Sequence, residues 1–143
     1  MVANCSVPAE ILLPHISYRN LPAAIDWLSR VFGFVEHYRY GEPMSGAQIH
    51  LGQAYIMVRR REGPTPAELG FGTQSLTIFV EDVDGHFALA KAAGAEIVED
   101  LHETIYGERQ YGVLDLEGHH WLFSRHAQDV DPADWGATVF SRL

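Results

Sequence analysis

The sequence predicts an α+β fold in which two tandem βαβββ modules form a curved, cleft-enclosing mixed sheet with helices on the outside. Residues 16–35 read ISYRNLPAAIDWLSRVFGFV, and residues 78–97 read IFVEDVDGHFALAKAAGAEI. Each stretch is a short β-like run, a polar break, an amphipathic helix, a glycine and a new strand. A unit repeated about 60 residues apart predicts two modules that bury a shared surface. The matching positions are Ile16 with Ile78, Asn20 with Asp82, and Gly33 with Gly94.

The first module is predicted over residues 9–60. Residues 11–19 are expected as a strand with Pro14 near its start, and Asn20 as the helix N-cap. The helix LPAAIDWLSRVF places apolar residues at helical spacing and ends at Gly33 through a left-handed cap. The remaining predicted strands are 34–40, 47–51 and 54–60. The apolar stripe of the helix consists of Leu21, Ile25, Leu28 and Phe32.

A linker over residues 61–72, REGPTPAELGFG, separates the modules because prolines and glycines interrupt regular structure. The second module is predicted over residues 73–126, with a helix over 83–93 capped by Asp82. Its predicted strands are 74–81, 95–98, 109–114 and 120–126. The tail 127–143 is expected to fold over the sheet or across a dimer contact.

Composition excludes several classes of function. The net charge of −9 argues against nucleic-acid binding, which needs clustered Lys and Arg, and it favours cationic ligands if the acidic groups line a cleft. No apolar run approaches the roughly 20 residues that cross a bilayer. The N-terminus lacks the blocks of a signal peptide. Because Cys5 is the sole cysteine, no internal disulfide forms, and we expect a cytoplasmic protein.

The order βαβββ–βαβββ, with AAIDWLSRVFGF in the first module and YGERQYGVLDLEGHHWLF in the second, resembles the vicinal oxygen chelate superfamily. That superfamily contains glyoxalase I, extradiol dioxygenases, fosfomycin-resistance transferases and bleomycin-resistance proteins. The resemblance covers roughly residues 9–127 and is strongest to the glyoxalase and bleomycin-resistance branch. It implies a fold that hosts metal enzymes and pure binders alike.

The resemblance also implies where a divalent metal is held in the enzymes of this superfamily, on the first and last strands of each module. Those positions carry no usable His or Glu here, so we expect no cofactor. They correspond to Leu13, Met57, Ser75 and Leu122.

Histidines near these positions leave an alternative open. His15 shares a strand face with Leu13, and His120 shares one with Leu122, because side chains alternate along a strand. With His50, they would be a credible three-imidazole metal site. Against this, the chain shows no HxH or HxxxH spacing, and the adjacent His119 and His120 point to opposite faces.

Aromatic residues suggest a wall for a flat or cationic ligand, although such residues are as often the inner layer of a sheet. Arg109 either binds a ligand carboxylate or forms a salt bridge with Asp115, and we favour the structural role. The full predicted ligand-binding set is His15, Tyr38, Tyr55, Met57, Ser75, Arg109, Tyr111, His120 and Leu122, and if a metal is bound, its ligands are His15 and His120.

Three functions follow from these patterns. We favour a metal-independent binder of an aromatic or cationic small molecule in the inter-module cleft, like the bleomycin-resistance proteins, acting as a homodimer. The second is a metal-dependent lyase, isomerase or dioxygenase with a non-standard histidine site. The third is a regulatory module whose cleft is filled by side chains. Whether the protein is an enzyme stays open at this point.

Overall fold

A computed structural model of the chain describes residues 2–6 and 12–141. The chain divides into two compact units. The first contains the chain up to Phe71 together with Leu116–Gly118, and the second contains Gly72–Asp115 and the chain from His119 onwards. Each unit carries one open four-stranded sheet. The predicted α+β class and the two βαβββ modules are confirmed. Residues 9–11 of the predicted first module lie outside the described residues.

The first sheet has the strand order β1-β4-β3-β2, in which β1 runs parallel to β4 and the other pairs are antiparallel. A helix, α1, and a π-helical turn connect β1 to β2. The elements are β1 (His15–Tyr18), α1 (Leu21–Trp27), the π-helical turn (Leu28–Phe32), β2 (Val35–Tyr40), β3 (Gly46–Leu51) and β4 (Ala54–Arg60).

Local chemistry explains the limits of α1. The Asn20 side chain accepts a hydrogen bond from the backbone N–H of Ala23 at 3.2 Å, as an N-cap does. At the other end, Gly33 has φ +88°, in the left-handed region that stops a helix. The four predicted stripe residues are all buried, so that prediction is confirmed. The last turn widens from α to π geometry, which apolar spacing alone does not indicate.

The core of the first unit lies on the face of the sheet that α1 covers. Ile16 of β1 is opposite Val58, and Val58 is opposite Ala47, so these buried residues share one face. Ile49 and Ile56 face each other in the same layer. Strand β1 begins at His15, later than the predicted strand start, and Leu13 precedes it.

The linker contains an element that was not predicted, the short helix α2 (Pro66–Leu69). Thr65 and Glu68 form a capping box, in which each side chain accepts from the other residue's backbone N–H. The T-x-x-E spacing was readable in the sequence, but the surrounding prolines and glycines favoured a loop.

The second sheet repeats the plan with the order β5-β8-β7-β6 and a parallel β5–β8 pair. Asp82 caps α3 by accepting from the N–H of Gly85 at 3.0 Å, as predicted. Strand β6 is longer than predicted. The elements are β5 (Ser75–Phe79), α3 (Val83–Ala92), β6 (Glu96–Glu103), β7 (Glu108–Leu114), β8 (His120–His126) and a 3₁₀ turn (Pro132–Trp135).

The turn between β7 and β8 belongs with the first unit at Leu116–Gly118. The buried Glu117 carboxylate accepts from the backbone N–H groups of Arg19 and Asn20, at 2.7 Å and 2.8 Å. It therefore satisfies backbone donors at the point where β1 passes into α1. Within the described ranges, 2–6 and 12–141, no helix has both the length and the apolar character of a membrane span.

Candidate functional site

The face of the first sheet that points away from α1 carries several aromatic side chains. Strand pairing puts His15 opposite Met57, Met57 opposite Gln48, and Gln48 opposite Tyr38. His50 and Tyr55 are also opposite each other. We call this surface the tyrosine–histidine face, and its members are His15, His37, Tyr38, Gln48, His50, Tyr55 and Met57.

A buried glutamine and a buried methionine form the floor of the tyrosine–histidine face. Gln48 is 0% exposed, and Met57 is also buried. The Gln48 amide nitrogen lies 3.5 Å from the Met57 sulfur, and its amide oxygen lies 2.6 Å from Nδ1 of His37. In this arrangement His37 donates from Nδ1, so in the neutral ring Nε2 is an acceptor. The floor thus fixes the tautomer of a histidine that is exposed at the surface.

Aromatic rings continue from this floor. The rings of His50 and Tyr55 stack with 4.6 Å between centroids and 15° between planes. The ring centroids of His37 and Tyr55 lie 6.2 Å apart in an edge-on arrangement, and those of His37 and Tyr38 lie 5.1 Å apart with tilted planes. The Tyr38 hydroxyl points to the Met57 sulfur at 3.9 Å. The result is a continuous, partly exposed set of rings, with hydrogen-bonding groups between them.

The second sheet has a different chemistry on its helix-free face. Strand pairing places His120 opposite Ser75, and Leu122 opposite both Thr77 and Gly112. A Cβ on Gly112 would lie 3.0 Å from the Cβ of Glu99 and 3.2 Å from Nε2 of His120, so these side chains close over the glycine. Glu99 also accepts from Gln110 at 3.0 Å.

The structure divides the predicted ligand-binding residues into three groups. His15, Tyr38, Tyr55 and Met57 lie together on the tyrosine–histidine face. Ser75, His120 and Leu122 lie together on the helix-free face of the second sheet. Arg109 and Tyr111 occupy the opposite face, next to α3.

Arg109 and Tyr111 are held by α3. The Arg109 guanidinium pairs with Asp84 at 2.7 Å and 3.2 Å, not with Asp115, and it holds the pKa of Asp84 below its usual value. Asp115 instead accepts from the Trp121 indole at 3.0 Å. Tyr111 is 0% exposed, and its hydroxyl lies 2.5 Å from Nδ1 of His86. Burial raises the pKa of Tyr111.

The residues present do not fit a divalent metal of the kind found in the related enzymes. On the first sheet, His15 has a thioether, Met57, as its strand partner, and on the second, His120 is opposite Ser75. Nδ1 of His50 is engaged by the carbonyl of Gly52 at 3.1 Å. Among the described residues, no three His, Cys, Asp or Glu side chains are grouped to hold a metal ion. Hard or borderline divalent ions need several oxygen or imidazole ligands together.

Comparison with known proteins gives the family. The sequence profile of the Glyoxalase/Bleomycin resistance protein/Dioxygenase superfamily matches residues 11–123. The chain belongs to this superfamily. The predicted resemblance is therefore confirmed at the level of the superfamily.

Several known proteins are similar to this superfamily member along most of their length. TioX from Micromonospora sp. ML1 is 38% identical, with a TM-score of 0.70, over 82% of this chain and 99% of TioX. TnmS3, an antibiotic binding protein from a Streptomyces species, is 18% identical, with a TM-score of 0.65, over 84% of this chain and 98% of TnmS3. An uncharacterized protein of Mycobacterium tuberculosis is 28% identical over 141 residues, which cover 92% of this chain and 83% of that protein.

Sequence reasoning missed three contributors to these faces, His37, Gln48 and Glu99. Strict alternation along β2 would have placed the side chains of His37 and Tyr38 on opposite faces of the sheet. The strand pairing, however, shifts between Glu36 and Tyr38. This irregularity lets both rings reach the same surface. Gln48 carried a usable signal, because a glutamine between alanine and isoleucine in a buried strand needs a hydrogen-bond partner.

Proposed function

We propose that this superfamily member is a small-molecule-binding protein that holds an aromatic or cationic ligand on the tyrosine–histidine face without a metal. The observation that carries the proposal is the set of partly exposed rings above the buried Gln48 and Met57. Rings fixed by a packed floor lose little freedom when a flat ligand stacks on them, which favours binding.

The polar groups of the tyrosine–histidine face suggest how a ligand is oriented. Nε2 of His37 offers an acceptor to an N–H or O–H group of the ligand, because Nδ1 is occupied by Gln48. Tyrosine rings attract positive charge to their faces. The net charge of −9 adds a general attraction for cations. A planar aromatic molecule that carries an amino group meets all three conditions.

The comparisons support binding as a use of this fold. TnmS3, which shares the fold, is described as an antibiotic binding protein. The donor set around His15 and His120 gives no corresponding support for metal chemistry. Binding without turnover therefore accounts for the residues on these faces better than a metal-dependent lyase, isomerase or dioxygenase does.

The test is a titration with proflavine, a planar aromatic cation, followed by its fluorescence and by the shift in the thermal midpoint. A ligand that binds only the native state raises the midpoint by mass action. We expect Tyr55→Ala to weaken binding by about tenfold, since loss of a stacked ring removes roughly 1 kcal/mol or more. Phe71→Ala is the control, because Phe71 is 64% exposed and lies outside this face.

Equal affinity of the wild type, Tyr55→Ala and Phe71→Ala would refute the tyrosine–histidine face as the site. No binding by proflavine or by a panel of neutral and cationic aromatic compounds would favour the regulatory-module alternative. The proposed homodimer is checked separately by sedimentation, since the described contacts are all within one chain.

A further inference from the structure

The second unit has a cavity that is lined by none of the residues of the tyrosine–histidine face. Its volume is about 470 Å³, and it is lined by Tyr106, Glu108, His126 and the segment 127–130. We call it the tail cavity. Ligand pockets for small organic molecules typically occupy about 300–1,000 Å³, so this cavity is large enough for one.

Backbone hydrogen bonds hold the wall of the tail cavity in place. The carbonyl of Gly107 accepts from the N–H groups of Ala127 and Gln128, at 2.8 Å and 3.0 Å. Gly107 has φ +92°, and a Cβ there would collide with the Gln128 carbonyl. Glycine is therefore required for this close approach. The wall is preformed, which lowers the entropic cost of binding.

The charge in the tail cavity is negative. Glu108 and Asp129 line it, and its described lining contains no Lys or Arg. The Glu108 side chain is only 18% exposed, and its carboxylate contacts Nδ1 of His126 at 2.7 Å and the Ser124 hydroxyl at 3.3 Å. A carboxylate withdrawn from water in this way interacts more strongly with a cation than one at the open surface.

An aromatic ring lines the same cavity. Tyr106 is 42% exposed, and its ring is held edge-on to Trp135 at 6.0 Å. The His126 ring packs on Phe79 at 4.6 Å. A tyrosine face and a carboxylate in one pocket are the pair of groups that recognises an organic ammonium ion, through cation–π attraction and ion pairing.

We propose that the tail cavity binds a small organic cation, a primary ammonium group on a short apolar body. The ammonium group of the ligand forms an ion pair with the Glu108 carboxylate and replaces the contact between Glu108 and His126. The apolar body of the ligand lies against Tyr106 and Val130. The site is separate from the tyrosine–histidine face, and the inference does not depend on the function proposed for that face.

The experiment uses benzylammonium at pH 7.5, with benzyl alcohol as the neutral isostere, and follows the histidine ring signals of the full chain by NMR. We expect benzylammonium to shift the His126 signals in a saturable way and benzyl alcohol to bind at least tenfold more weakly. Glu108→Gln should weaken benzylammonium at least tenfold. Glu103→Gln removes an equal charge on β6, outside the cavity lining, and should change the affinity less than twofold.

Because Glu108→Gln changes a partly buried group, Asp129→Asn and Tyr106→Leu provide second variants at more exposed positions. Each should weaken benzylammonium by about threefold or more if the cavity is the site. The proposal is overturned if benzyl alcohol binds as well as benzylammonium, or if all three cavity variants retain wild-type affinity. It is also overturned if benzylammonium shifts His37 and His50 but leaves His126 unchanged, an outcome that supports the tyrosine–histidine face.

Discussion

Tyr111 shows how a single residue's role depends on which face of a strand it occupies. Four consecutive residues of β7 are buried, namely Gln110, Tyr111, Gly112 and Val113. Polarity along the strand therefore does not indicate which of its faces a ligand would contact. The structure puts the Tyr111 ring beneath α3, 5.1 Å from Phe87. Its hydroxyl is paired with His86, and burial raises the pKa of this hydroxyl above the usual 10.0.

This raised pKa makes a prediction about stability in alkali. Unfolded Tyr111 ionises near pH 10, whereas the folded residue stays neutral, so its contribution to stability is complete below pH 10 and is lost as the pH rises above it. Between pH 9 and pH 11 we expect the wild type to lose about 1 kcal/mol more unfolding free energy than Tyr111→Phe. Urea denaturation of both proteins at the two pH values measures the difference. Parallel losses would mean that Tyr111 is not protected in the folded state.

The ion-pair partner of Arg109 also depends on the face of β7 that this residue occupies. The predicted salt-bridge partner of Arg109 was Asp115 in the turn after β7, but the fold brings Arg109 to Asp84 in the first turn of α3, 25 residues away. Pairing across that distance depends on how the helix lies over the sheet, which one sequence does not determine. Residues paired by adjacent strands, such as His15 and Met57, were easier to group because alternation fixes their face.

At the scale of elements, helix ends were the most predictable feature. Asn20 and Asp82 cap their helices as predicted, because short polar side chains satisfy the first free N–H groups. Gly33 and Gly94 have nearly equal φ angles, +88° and +86°. By contrast, α2 and the π-helical turn were missed, since each depends on local hydrogen bonds within a few residues and not on an apolar pattern.

Replacing Gly33 measures the free-energy cost of the left-handed cap conformation. A Cβ at Gly33 would meet Leu51 at 3.7 Å, an ordinary contact, so Gly33→Ala introduces backbone strain without a clash. We expect this variant to lose about 1 kcal/mol of unfolding free energy. Gly33→Asn should lose less, because asparagine tolerates the left-handed region better. Equal losses for both variants, measured by urea denaturation, would contradict strain as the cause.

At the scale of the whole molecule, two modules of one plan carry different chemistry. The tyrosine–histidine face of the first sheet contains rings, an amide and a thioether, whereas Glu99 and Glu108 bring carboxylates to the second unit. The repeat was visible in the sequence because core spacing and caps repeat. The surfaces were harder to predict, because the positions that differ between the modules are those that the shared core leaves free to vary.

The proposed independence from metal is a property of the whole protein and gives the last prediction. We expect protein purified without an affinity tag or chelator to carry far less than one equivalent of divalent metal. EDTA should change the thermal midpoint by less than about 1 °C, and proflavine affinity by less than twofold. The physical reason is that the described residues group no three His, Cys, Asp or Glu side chains, and that the strand partners of His15 and His120 are Met57 and Ser75, poor ligands for Zn²⁺, Mn²⁺ or Fe²⁺. The test is mass spectrometry of the metal content of the wild type, His15→Ala and His120→Ala. His102→Ala, at an exposed position, is the control. Near-stoichiometric metal that is lost in the first two variants and kept in the third would refute the binder and establish a histidine-based metal site.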